Sequence, residues 1–102
     1  MQEKRRHSRI AVHLPVVCET KAGAPLAGVI VDISVGGVYI EAEFAPKFGD
    51  EVVLVGDFPG APGTRLPSVV RWVKPGGFGV QFGLLGAKET HMLAAIMHRA
   101  RA

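Results

Sequence analysis

One cysteine, one tryptophan and one tyrosine stand among 102 residues. The lone thiol, Cys18, has no partner for an internal bridge, so a disulfide framework is excluded. That suits a reducing compartment, and a cytoplasmic protein is expected, with Cys18 a buried small hydrophobe on a strand. No stretch approaches the ~20 consecutive apolar residues that cross a bilayer, so no membrane insertion is expected. Nor is a signal peptide expected, because His13 and Pro15 interrupt the apolar run that follows the basic start. The four histidines (His7, His13, His91 and His98) show no metal-ligand spacing. Asp32, His13 and Ser34 are the ingredients of a catalytic triad, but nothing sets a base on Ser34. The expectation is a protein that is not an enzyme and carries no cofactor or metal.

Charge is nearly absent as a net quantity, and its place is informative. Residues 1–9 hold Lys4, Arg5, Arg6 and Arg9 against Glu3, while the rest of the chain holds eight cations and eight acids. The whole excess of +3 therefore lies at one end. A coat for a polyanion spreads its cations over a face; a point of charge suits a compact anion. The seven aromatics do not cluster with cations, as a groove for single-stranded nucleic acid requires. No DNA or RNA partner is expected.

Thirteen glycines and seven prolines cut the chain into short segments of alternating hydrophobicity. Ile10, Val12, Leu14, Val16 and Cys18 share one parity and predict a half-buried strand over 9–19. "LAGVIVDIS" reads as a second strand ending near Asp32, "SVGG" as a sharp connection, and "VYIEAE" as a hairpin partner. "EVVLVGDF" is a fourth strand. "PGAPGTRLP" reads as a long mobile loop. "SVVRWVK" and "FGVQFG" are strands five and six, joined at "KPGG", where Pro75 presets φ and a glycine supplies a positive φ. Trp72 is expected to pack in the core or under a helix, with a base-stacking place at a ligand's rim as the alternative. Six antiparallel strands with short loops imply a small closed barrel, which removes exposed edges.

The period then changes to three and four. Leu93, Ile96, Met97 and Ala100 form one stripe of an amphipathic C-terminal helix, Met92, Leu93 and Met97 are expected on its packing face, and Arg99 and Arg101 lie where the helix dipole favours cations. The expected fold is mainly β: a six-stranded antiparallel barrel with a C-terminal α-helix as its lid. The expected organisation is a single domain over 1–102, made of a flexible basic arm (1–9), the barrel (10–84) and the helix (86–101).

Two constellations carry chemistry. Arg5 and Arg9 lie four apart, with Arg6 between them. Guanidinium forks donate two parallel hydrogen bonds to phosphate oxygens or to guanine O6 and N7, and they stack on base planes. Asp32, Ser34, Gly36 and Gly37 form the second group. Asp32 and Ser34 point to one side if the chain is extended. The glycines allow a tight turn of positive φ and a close approach to the backbone. A carboxylate accepts from the guanine N1–H and N2–H₂ donors. Taken singly, the first group also reads as a solvated terminus, and the second as a turn in which Asp32 or Ser34 bonds its own backbone.

Together, RxxxR (Arg5, Arg9) and DxSxxG (Asp32, Ser34, Gly37), in this order on a six-strand pattern, resemble the PilZ domain family, whose ligand is the bacterial second messenger cyclic di-GMP. "VVRWVKPGGFGVQF" is similar to that family's closing hairpin, and the resemblance runs over residues 4–84. It implies that Arg5 and Arg9 form a mobile jaw over the nucleotide. Asp32, Ser34 and Gly37 form a fixed jaw on the barrel, with Arg6 and Gly36 as further contacts. It also implies a non-enzymatic receptor that orders its arm on binding cyclic di-GMP and signals to a downstream protein partner. Lys4, before the first arginine, occupies a position that influences ligand stoichiometry in the family. The alternatives are a nucleotide-independent adaptor of the same fold and a small-barrel binder of single-stranded nucleic acid. The mixed surface of the helix leaves a homodimer open.

Overall fold

The structure is a computed structural model that describes residues 9–21, 23–34 and 36–101. Six strands precede one helix: β1 (Ile10–Thr20), β2 (Leu26–Ile33), β3 (Gly37–Glu41), β4 (Glu51–Phe58), β5 (Ala61–Lys74), β6 (Gly77–Phe82) and α1 (Ala87–Arg101). Every pairing is antiparallel, and the order β1-β2-β3-β6-β5-β4 closes when β4 meets β1. The barrel expected from the sequence is the barrel observed.

The alternation in β1 holds. Val16 and Cys18 are buried and Ile10, Val12 and Leu14 half-buried, while the intervening residues face outward. Ile30, Ile33, Ile40, Leu54, Leu66, Val70 and Phe78 fill the interior. Met92, Leu93 and Ile96 of α1 join this core, and Met97 packs at its edge. Met92, Leu93 and Met97 pack as expected, while Ala100, expected on the same stripe, is exposed. Within α1 no segment is long and apolar enough to cross a membrane.

The loop expected at 59–67 is largely absent. Pro59 and Gly60 make a two-residue turn, with Gly60 at φ 75°, and β5 begins at Ala61, opposite Phe58. Proline and glycine content signals a loop locally, but pairing along β4 overrides it. Pro62 and Pro67 are exposed. The Pro67 carbonyl accepts from the Gly83 N–H beyond the β6 ladder, so its missing donor costs no ladder bond. At the β5–β6 turn, Gly76 supplies the expected positive φ, 88°.

Two irregularities decide what faces outward. In β2 the pairing with β3 shifts between Ile30 and Asp32. Ile30 and Ile33 both point inward, so Val31 and Asp32 both lie on the outer side. In β5 the pairing with β6 shifts between Val70 and Trp72. Val70 is buried, and both Arg71 and Trp72 turn outward. Such bulges re-aim side chains and bend the strand. Without them, strict alternation would turn Asp32 and Trp72 into the barrel interior.

Candidate functional site

The end of β2, the start of β3, and the bulged stretch of β5 beside β6 surround a cleft of about 160 Å³. It is lined by Arg9, Ser34, Gly36, Gly37, Arg71, Trp72 and Gln81, with Val38 and Val80 behind. Pockets that take a whole drug-sized ligand enclose about 300–1,000 Å³. This cleft accommodates one end of a larger ligand.

Arg9 enters it from the foot of β1. Its Nη2 donates to Asp32 Oδ1 at 2.6 Å, which ties the two sequence motifs together. Asp32 does not line the cleft; it holds the guanidinium that does. Ser34 is buried. Its N–H donates to the Gly37 carbonyl at 2.9 Å, and its hydroxyl donates to the same oxygen at 3.3 Å. Asp32 and Ser34 therefore do not share an open side as on a straight strand: the first pairs outward with Arg9 and the second closes the β2–β3 connection.

The glycines differ from expectation in their physical reason. Neither Gly36 nor Gly37 adopts a positive φ. Gly37 is buried, and a Cβ there would fall onto the Val80 carbonyl oxygen, so close strand approach excludes any side chain. Gly36 has open space, and its carbonyl accepts from the Phe82 N–H at 2.9 Å. Arg5 and Arg6 lie outside the described residues.

Trp72 is not packed in the core or under the helix but takes the alternative place, at the rim of the cleft. It is 41 % exposed and stacks on Tyr39, with ring centroids 5.1 Å apart and planes at 5°. Arg71 Nε donates to Gln81 Oε1 at 2.8 Å, which leaves the Nη fork unused by that bond. Sequence reading passed over Arg71 and Gln81 and favoured a packed Trp72 over a base-stacking one because large aromatics are more often buried; the β5 bulge is what turns the ring outward. A signal existed in β6, where Gly77 and Gly79 alternate on the outer side. Small residues at alternate strand positions make room for a neighbouring ring.

The arrangement offers two guanidinium forks, an indole, a carboxylate and backbone brought close by glycine. These groups suit a planar, anionic ligand. The profile of the PilZ domain matches residues 3–98. The chain belongs to the PilZ domain family.

Solved PilZ structures share the fold. The PilZ domain of CeSA from a cellulose-synthesizing bacterium superposes with a TM-score of 0.75 at 17 % identity, over 93 % of this chain and 99 % of that one. The PilZ domain of YcgR from Escherichia coli, solved with c-di-GMP, gives 0.78 at 16 %, over 97 % and 92 %. PlzA of Borreliella burgdorferi, in complex with c-di-GMP, gives 0.70 at 15 %, over 94 % of this chain and 42 % of that longer one. Among curated proteins none matches the chain.

Proposed function

We propose that the protein is a cytoplasmic, non-enzymatic receptor for cyclic di-GMP. One observation carries this reading. Arg9 and Asp32, the ends of two motifs separated by 23 positions, meet at 2.6 Å beside the cleft. The two similar domains solved with c-di-GMP support the choice of ligand.

In this reading Arg9 and Arg71 donate to phosphate oxygens or to a guanine edge. Asp32, beside the cleft rather than in its lining, holds Arg9 and accepts from guanine N–H groups of a ligand that extends past the cleft, and Trp72 stacks on a base. Ser34 and Gly37 keep the β2–β3 backbone at the ligand, and Gly36 lies at its rim. Arg5 and Arg6 complete the clamp when ligand binding orders the N-terminal arm. The ordered arm then changes the surface that a downstream protein reads, by a shift of population toward the bound form.

Two experiments test this. Thermal melting with cyclic di-GMP, against GTP and cyclic di-AMP, should show stabilisation by the first alone, since a ligand that binds only the folded state raises its stability. Limited proteolysis should cut residues 1–9 more slowly with ligand. Equal cleavage with and without ligand contradicts arm ordering, and equal melting with all three nucleotides contradicts the receptor reading.

A further inference from the structure

Across the outer face of β2, β3, β6 and β5 runs a row of directly paired positions: Asp32 opposite Tyr39, Tyr39 opposite Gly79, and Gly79 opposite Trp72. Tyr39 thus lies one strand from Asp32 and, across Gly79, two strands from Trp72. A Cβ on Gly79 would strike Cε2, Nε1 and Cζ2 of Trp72, which form one edge of the indole. A Cβ on Gly77 would strike the hydroxyl end of Tyr39. Both rings therefore stand edge-on over a strand emptied of side chains, face to face at 5.1 Å. Lys74 Nζ caps the pair, 5.0 Å from the Tyr39 centroid and 5.4 Å from that of Trp72.

An exposed tryptophan on a glycine-bearing strand has several rotamers open to it, and a ligand that stacks on it must first select one. Here Tyr39 covers one indole face, and the indole also lines the cleft beside Arg9 and Arg71. We propose that Tyr39 is a positioning residue that fixes the Trp72 indole so that its second face forms a ready stacking wall for a planar base in the cleft. This rests on the cyclic di-GMP reading above. The ordering that Tyr39 supplies in advance would otherwise be charged to binding, which corresponds to about three- to tenfold in affinity for one immobilised side chain. The Tyr39 hydroxyl is not needed for this role; the ring is.

The test uses the full chain, cyclic di-GMP and the fluorescence of Trp72, the sole tryptophan. Wild type and Tyr39→Phe should bind alike, with equal Trp72 anisotropy before ligand is added. Tyr39→Leu should bind about three- to tenfold more weakly, with lower anisotropy in the free protein. In a Trp72→Ala background, where the fluorophore is gone and calorimetric titration reads the binding, Tyr39→Leu should weaken binding no further, because coupled residues are not additive. Tyr39→Met, an unbranched apolar filler, replaces the leucine variant if that one does not fold. Wild-type affinity and anisotropy in the leucine or methionine variant overturn the positioning role while the receptor reading stands. An additional loss in the Trp72→Ala background also overturns it. Absence of binding by wild type overturns both.

Discussion

Arg9 stands at the foot of β1 and Asp32 in the bulge of β2, and their side chains meet through a single hydrogen-bonded ion pair of 2.6 Å. The pair is only partly covered, with side-chain exposures of 36 % and 28 %. Partly solvated ion pairs contribute about 0–1 kcal/mol to folding, so this contact is better explained by what it aims than by what it stabilises. It sets a guanidinium at the cleft before any ligand arrives.

Separate effects on stability and binding follow for this pair. Arg9→Ala and Asp32→Ala should each change folding stability by less than about 1 kcal/mol. Each should weaken cyclic di-GMP binding by about tenfold or more, the scale of a lost charge-assisted hydrogen bond. Thermal melts and titrations on the same preparations compare the two effects. A large loss of melting temperature with unchanged affinity would make the pair structural.

Gly37→Ala should behave in the opposite way. The added methyl meets the Val80 carbonyl oxygen across the β3–β6 ladder. The strands must part, at a cost of about 1–3 kcal/mol or more. Gly36→Ala, where the space is open, should melt close to wild type. Urea denaturation of the two variants checks the contrast.

Arg71 separates charge from geometry. Gln81 holds its Nε and leaves the Nη fork clear of that bond. Arg71→Lys keeps the charge and loses the fork, so it should recover only part of the affinity lost in Arg71→Ala. Equal affinity in the lysine variant and wild type would show that charge alone matters there.

Much of this fold was legible because its determinants are local. Alternation in β1 and β4, the helical period of α1 and the Pro75–Gly76 turn are all written in neighbouring residues. The segment 59–67 was not, because its strand character comes from pairing with β4, a non-local reward that proline and glycine content does not report. The motif residues Arg9, Asp32, Ser34, Gly36 and Gly37 were legible as types and spacings. Their physical duties were less so. Gly37 is glycine for want of space rather than for positive φ, and Ser34 turns its hydroxyl to the backbone. Trp72 reads first as a packed ring and only second as a rim residue, because the β5 bulge that turns it outward leaves no local mark in β5, and the room for it and its stacking partner is written instead in Gly77 and Gly79 of β6. Arg5 and Arg6 lie outside the described residues.

Cys18 is 1 % exposed, and burial pushes its thiol up from 9.0 to about 11. The folded chain therefore keeps its proton where the unfolded chain has lost it. From pH 9.0 toward about 11 the thiol's contribution to stability declines as pH rises. At pH 8 the native protein should resist iodoacetamide and react only after unfolding in urea, which mass spectrometry would record. Rapid alkylation of the native protein would contradict its burial.

Calorimetric titration of the full chain with cyclic di-GMP, with GTP and cyclic di-AMP as controls and Arg9→Ala alongside, tests the central claim most directly. The account predicts saturable binding of cyclic di-GMP alone, weakened by about tenfold or more in the variant, with a stoichiometry read from the same curve. No heat from wild-type protein shown to be folded, or equal affinity in Arg9→Ala, would contradict it.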